Sequence, residues 1–423
     1  MLLAALSQFF HTYPNANYWL AYSGGLDSHA LVHACAALRR QNPELNVRAI
    51  HIDHGLQAIS STWAAHCQQV CDALQIALTR IELKLSIPKG ESLEAVARYA
   101  RYEAFKHVLG VGDYLLTAHH QDDQAETLLL NLLRGSGVEG LAAMPLKRNL
   151  GQAYLLRPLL GISRAELHMY AQQHHLQYIH DPSNDQLQFE RNYLRHEIVP
   201  KLTARWPSST TTLGRAAQWQ AEQVQLNALL LGQGLPAYAG TKPQTLSIKK
   251  LLAEPNVLQK ALLRYWLKTL GFKMPNAAKL QQILSSVMLA KPDASPVVDW
   301  QGCEIRRYRD DLYALRPLKW DQAQVWVWED LTQPAVLAEK IALHPKDLGD
   351  LKNYLNQKPV YVRFRQGGER ILRHQLPSIE LKKLLQALAM PAWERERIPL
   401  IYYGEQLIAI AGYWHAKPEW LLP

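Results

Sequence analysis

Apolar and polar positions change period repeatedly through the first part of the chain. Tyr18 to Tyr22 is a short aromatic and aliphatic run with the pattern of a buried strand. Ser23-Gly24-Gly25 ends it, and Leu26, Ala30, Leu31, Ala34 and Leu38 then recur at helical spacing. The alternation returns with a strand at Val47 to Ile52 and a helix with Trp63, Ala64, Cys67, Val70, Cys71 and Leu74 on its apolar side. Leu78 to Leu85 reads as a third strand, Glu91 to Leu109 as a long helix, Tyr114 to Ala118 as a fourth strand and Asp122 to Arg134 as a helix. Strands alternating with helices predict an α/β fold, a parallel sheet covered on both faces. Ligands in such folds sit beyond the carboxyl ends of the strands. Three of these ends are polar: Ser23 to Ser28, Asp53-His54, and His119 to Asp123.

Ser163-x-x-Glu166 has the form of a capping box, and Asp181-Pro182-Ser183-Asn184 that of a turn, followed by Arg191-Asn192 and a helix up to Pro200. Trp206 to Thr212 reads as a linker. These punctuation points predict three domains: a parallel-sheet domain over 1–207, a largely helical one over 213–320 that ends in strands, and an α+β one over 326–423.

Composition narrows the class. A formal charge of +9 suggests an acidic partner, with RNA favoured over a membrane. Four cysteines without C-x-x-C spacing make a disulfide framework improbable and suit a reducing cytoplasm. Cys67 and Cys71, one helical turn apart, are either packed thiols or half of a metal site. The N-terminal residues lack a basic region and are expected to form an amphipathic helix rather than a signal peptide, and no apolar run has membrane-spanning length.

Candidate chemistry lies at the polar strand ends. A strand, a small-residue turn and a helix leave backbone N–H groups free, which suits either an ordinary helix cap or a phosphate cradle. In the second reading Ser23, Gly24, Gly25, Leu26, Asp27 and Ser28 hold phosphate, and Asp27 supplies a carboxylate for a phosphate-bound metal. The loop is not G-x-G-x-x-G, and the chain has no Gly-Lys dipeptide, so a Walker-type loop is excluded. Asp123 and Glu126, three apart, share one side of a helix start. They can serve the helix dipole, hold Mg²⁺, pair with a substrate ammonium, or accept a proton from an attacking amine.

The motifs fall in a fixed order: Ser23 to Ser28, Asp53 to Leu56, Ala97 to Tyr102, Thr117 to Thr127, Leu133 to Leu141, Arg157 to Leu160, and Asp181 to Asn184 leading to Arg191-Asn192. This set resembles the bacterial tRNA(Ile)-lysidine synthetases, within the pyrophosphate-loop ATP pyrophosphatase superfamily. Arg363 to Arg370, Leu381 to Leu384 and Trp393 to Ile401 match the family's C-terminal domain. Gln57, where a basic residue is expected, and Ala143, where Gly is expected, depart from the pattern. The resemblance implies that ATP, with Mg²⁺ near Asp27, adenylates the C2 oxygen of the wobble cytidine in tRNA(Ile) with anticodon CAU. The ε-amine of free L-lysine then displaces AMP to give lysidine. It further implies nucleotide binding by the Ser23–Ser28 loop and Asp53, catalytic roles for Asp123 and Glu126, and phosphate or charge stabilisation by Arg98 or Arg101. RNA contacts are expected from Arg191, Arg195, Arg306, Arg307, Arg363, Arg365, Arg370, Lys382 and Lys383. A homodimer is compatible with the sequence. A pyrophosphate-loop thiolase or amidotransferase would need reactive cysteines that this spacing does not offer, and a non-catalytic RNA-binding protein would have no use for the intact loop.

Overall fold

The structure, a computed structural model, describes residues 1–14, 16–53, 60–83, 93–291, 294–317, 323–338, 341–355, 359–373 and 376–421. His54, Gly55, Leu56 and Gln57, and the ends of the expected elements at Leu85 and Glu91, lie outside them. The chain forms two compact units, Met1–Leu230 and Leu231–Pro423.

In the first unit α1 (Leu2–Thr12) precedes β1 (Tyr18–Ala21), α2 (Leu26–Gln41), β2 (Val47–Asp53), α3 (Ser60–Ala73), β3 (Leu78–Glu82), α4 (Leu93–Val108), β4 (Tyr114–Leu116) and α5 (Gln121–Leu133). After a short α6 (Val138–Leu141) come β5 (Lys147–Leu150), β6 (Ala153–Leu156) and α7 (Arg164–Gln173). The six strands lie in the order β3-β2-β1-β4-β6-β5. All pair in parallel except β5, which runs antiparallel to β6 at the edge.

Both faces of the sheet are buried, as β1 illustrates. Tyr18 and Leu20 join a core that includes Leu6, Phe9, Leu31 and Cys35. Trp19 points the other way, into a cluster with Ile50, Phe105 and Leu155. Each such side chain contributes about 1.5–3 kcal/mol when fully buried. Cys67 and Cys71 are fully buried, and burial raises both thiols to about 12, so they are packed thiols.

The capping box at Ser163 and Glu166 is present. The Asp181 turn is a short 3-10 segment, Pro182–Asp185. A nearly continuous helical stretch follows: α8 (Glu190–Tyr193), a π-helical turn (Leu194–Ile198) and α9 (Val199–Arg205). The expected linker is shorter than its composition suggests. Ser209 to Thr212 begin α10 (Ser209–Gly234), and Thr211 Oγ1 donates to Gln121 Oε1 at 3.2 Å.

In the second unit α11 (Ile248–Leu252), α12 (Asn256–Thr269) and α13 (Ala277–Gln282) accompany an antiparallel sheet. Its strands are β7 (Leu246–Ser247), β8 (Val297–Trp300), β9 (Cys303–Tyr308) and β10 (Asp311–Leu315), in the order β7-β10-β9-β8. Beyond them an antiparallel five-stranded sheet and two hairpins carry α14 (Leu381–Ala387) and α15 (Ala392–Arg395). Trp393 of α15 packs edge-on against Tyr313 of β10, 5.2 Å between ring centroids.

Ala143, where the resemblance leads one to expect Gly, adopts φ +50°. A side chain in that left-handed conformation costs roughly 1–2 kcal/mol. Ala143→Gly is therefore expected to stabilise the first unit by about 1 kcal/mol; a denaturant midpoint that stays put or falls would show that the loop carries no strain there.

Candidate active site

The chain runs from β1 outward through β2 to β3, then returns to place β4 on the other side of β1. The carboxyl ends of β1 and β4 therefore flank the topological switch point, where open α/β sheets bind ligands. Beyond β1 lies the Ser23–Ser28 turn; beyond β4 lies Thr117 to His120.

The turn is tied by its own hydroxyls. Ser28 Oγ accepts from Ser23 N at 3.2 Å, lies 3.0 Å from Ser23 Oγ and donates to Gly25 O at 3.0 Å. Gly24 has φ +86°, and a Cβ there would meet Ile179 Cδ1 at 2.6 Å and Cys67 Sγ at 3.1 Å. Gly25 caps α2 with no side-chain hydrogen bond, so the first-turn N–H groups face outward beside Leu26 and Asp27. These features fit a phosphate cradle.

His120, 1% exposed, sits under the site. Its Nε2 lies 3.6 Å from Asp27 Oδ2 and 3.5 Å from Asp123 Oδ2, and its Nδ1 lies 3.6 Å from Asp122 Oδ2. Burial alone would lower this imidazole, but Asp122, Asp27 and Asp123 outweigh it and hold it up at about 10. At these distances they are ion pairs, and neither ring nitrogen finds a hydrogen-bond partner among the described residues. Asp27 Oδ1 is likewise buried without one. Mg²⁺ is usually bound by one or two carboxylates together with substrate phosphates rather than by an all-protein cage. Asp27, at the N-terminus of α2 beside the cradle, is a carboxylate of that kind.

Asp123 and Glu126 do share one side of α5, but they face protein rather than an open cleft. Arg191 Nε donates to Glu126 Oε2 at 2.8 Å, and its Nη2 to Asp123 Oδ1 at 3.0 Å. Arg195 donates through Nε to Glu126 Oε1 at 2.6 Å, and through Nη2 to Glu126 Oε2 and Asp123 Oδ1, each at 2.9 Å. Glu126 is 1% exposed. For Asp123, burial raises the carboxyl, but His120, Arg191, His119 and Arg195 more than offset it and hold it at about 2. Arg191 and Arg195, expected to reach RNA, are the cations of this network.

Asp53 ends β2, half-buried. Arg98 and Arg101 are exposed on α4, and Arg98 lies over the Tyr102 ring at 5.3 Å. In the second unit Arg307 is buried and donates to Met288 O at 3.0 Å, Arg309 O at 3.0 Å and Ala290 O at 2.5 Å. Its guanidinium serves the fold rather than a surface. Arg306 pairs with Glu304 at 2.9 Å, Arg365 with Glu369 at 3.4 Å, and Arg363 stacks on Tyr402 at 3.9 Å. Arg370, Lys382 and Lys383 are exposed.

Among the site residues, His120 was not assigned a role from sequence. The signal available was a histidine pair just before Asp122, Asp123 and Glu126 at a strand end, which is more than a cap requires.

The strand–turn–helix and the switch-point geometry define a PP-loop protein, and residues 2–202 match the family model of the PP-loop domain. Residues 246–313 match the TilS substrate binding domain and 360–419 the TilS substrate C-terminal domain. The chain is 43% identical over 404 residues to the tRNA(Ile)-lysidine synthase of Coxiella burnetii, covering 94% of this chain and 89% of that protein. It is 41% identical to that of Serratia proteamaculans (93% and 90% covered) and 40% to that of Yersinia pseudotuberculosis (94% and 91%). The chain belongs to the tRNA(Ile)-lysidine synthase family.

Gly24→Ala combines a strained φ with a clash against Ile179 and Cys67. It is expected to cost roughly 1–3 kcal/mol of stability and to weaken nucleotide binding by displacing the turn. Unchanged denaturation and calorimetric ATP titration in this variant would show that the turn tolerates a side chain.

Proposed function

We propose that this protein uses ATP to adenylate the C2 oxygen of the wobble cytidine in tRNA(Ile) with anticodon CAU. The ε-amine of free L-lysine then takes the place of AMP, giving lysidine, AMP and pyrophosphate. The observation that carries this reading is the meeting, at one switch point, of a side-chain-free phosphate turn and the Asp27–His120–Asp123 cluster, in a chain of this family.

The chemistry needs each part. A carbonyl-type oxygen on the cytosine is a poor leaving group until it is bonded to phosphorus, so ATP must be held with its α-phosphate beside the base. The N–H groups of the Ser23–Ser28 turn and the start of α2 bind the pyrophosphate end. Asp27 would hold Mg²⁺, which neutralises phosphate charge as it develops. The His120 imidazolium orients Asp27 from below, while Asp123 and Glu126 fix Arg191 and Arg195 beside the site and are the candidates to accept the proton that the lysine amine loses. Asp53, at the neighbouring strand end, remains a candidate for ATP binding. Arg98 and Arg101 remain the candidates on α4 for phosphate or developing charge. The second unit supplies RNA-backbone contacts, with Arg370, Lys382 and Lys383 as its exposed cations and Arg306, Arg363 and Arg365 partly exposed.

Purified protein is expected to incorporate labelled lysine into tRNA(Ile) only with ATP and Mg²⁺, releasing AMP and pyrophosphate. Asp27→Ala should abolish pyrophosphate release and leave tRNA affinity nearly unchanged. Incorporation of sulfur or ammonia, or an equal loss of tRNA binding in Asp27→Ala, contradicts the assignment.

A further inference from the structure

Trp393-Glu-Arg-Glu-Arg397 opens one of the motifs shared with the family's C-terminal domain, and no step of the reaction uses it. Met390 and Ile398, on either side of α15, belong to the C-terminal core with Leu381, Leu385 and Leu400. Trp393, 5% exposed, instead meets the outer face of the β7-β10-β9-β8 sheet. Its ring lies edge-on to Tyr313 at 5.2 Å and to Tyr308 at 6.4 Å between centroids, with the Arg306 guanidinium 5.5 Å from its centre. Arg306 and Tyr313 are cross-strand partners in β9 and β10, so one indole covers one pair. The charged members of the motif turn to the same neighbour. Arg395 donates through Nε to Met390 O at 2.7 Å and through Nη2 to Tyr308 Oη at 3.4 Å. Burial raises the Glu394 carboxyl, opposed by Lys242 and Arg397. Burial lowers the Arg397 guanidinium, opposed by Glu304, Glu396 and Glu394 and reinforced by Arg306.

Domains of one chain move relative to each other unless a close apolar contact joins them. Here a buried Trp, a residue type that covers about 150–250 Å², sits at the centre of the contact with charged groups around its rim. That is the anatomy of an energetic hot spot. An Arg-rich motif in an RNA-handling protein reads first as a phosphate contact. Trp393 is too buried to touch RNA, however, and Arg395 is engaged by Met390 and Tyr308. Exposed cations lie on both sides of the joint: Arg309 and Arg316 on one, Arg370, Lys382 and Lys383 on the other. Two surfaces that grip one RNA add their affinities only when the geometry lets both engage together, and rigidity lowers the cost of doing so.

We propose that the Trp393-Glu-Arg-Glu-Arg397 motif is a latch between the substrate binding domain (246–313) and the C-terminal domain (360–419). It holds the two as one rigid piece that grips the tRNA body. Trp393 is thus a positioning residue for the tRNA without touching it. This rests on the reading above that the second unit supplies RNA-backbone contacts.

The test measures the affinity of the full chain for two probes, tRNA(Ile) with anticodon CAU and its isolated anticodon stem-loop, which carries the reacting base but not the tRNA body. Trp393→Ala is expected to weaken binding of the full-length tRNA, and to raise its KM in lysine ligation, about tenfold. Stem-loop binding, kcat, and KM for ATP and lysine should keep their wild-type values, a split that general destabilisation does not produce. Trp393→Phe, which refills the slot with a ring, should restore most of the loss. Tyr313→Leu removes the facing ring from the other side and should reproduce the Trp393→Ala effect; it carries the test if thermal melting shows Trp393→Ala unfolded. Unchanged full-length affinity in a folded variant, or stem-loop binding that falls in parallel, overturns the latch. Wild type that binds both RNAs equally well removes the second unit's part in RNA binding and the latch with it. A preference for full-length tRNA without any lysine ligation overturns the assigned reaction, while the variant affinities still decide the latch.

Discussion

The structure of the catalytic edge depends on the burial of two carboxylates against two guanidinium groups. Glu126 is 1% exposed, and both its oxygens are taken by Arg191 and Arg195. Removing such charges from water costs several kcal/mol each, a penalty offset only by close geometry and full hydrogen bonding. The network joins α5, which follows β4, to the helical stretch at 190–205. It thereby fixes one side of the switch point. The same α5 carries Asp123, whose second oxygen accepts from His120 N at 3.0 Å and lies near the imidazolium. From there the ion pairs reach Asp27 at the start of α2. A single charge network therefore runs from the helix after β4 to the phosphate turn after β1.

Much of the first unit was legible from sequence because its determinants are local. An aromatic run, a Ser-Gly-Gly break and helical spacing give β1, the turn and α2 without tertiary information. The polar strand ends indicate the ligand edge for the same reason. The network itself was not legible: Arg191 and Arg195 lie 65 to 72 residues from the acids they hold, and basic residues beside an Asn-containing turn read as RNA contacts. The pairing also gives both carboxylates the task of holding Arg191 and Arg195 in place.

Two other misreadings have physical causes visible in single residues. Ser209 to Thr212 have low helix propensity, yet they start α10, where Thr211 Oγ1 donates to Gln121 Oε1 at the start of α5. In β9, Cys303, Ile305 and Arg307 share the inward face while Glu304 and Arg306 face outward. The alternation of period two therefore already placed Arg307 inside, and counting basic residues without regard to phase assigned it to a surface. Arg306, one position along, remains on the outer face. Ala143 is the reverse case: the departure from the family's glycine marked a real backbone constraint, since the residue there is left-handed.

The Glu126–Arg195 contact is a coupled, buried ion pair on which the site edge depends. A double-mutant cycle with Glu126→Gln and Arg195→Met, read by denaturant unfolding of the first unit, measures this directly. Each single change is expected to cost about 3–5 kcal/mol, and the double variant to recover a large part of it, giving a coupling of about 2 kcal/mol or more. Two single effects that add to within about 0.5 kcal/mol would contradict it.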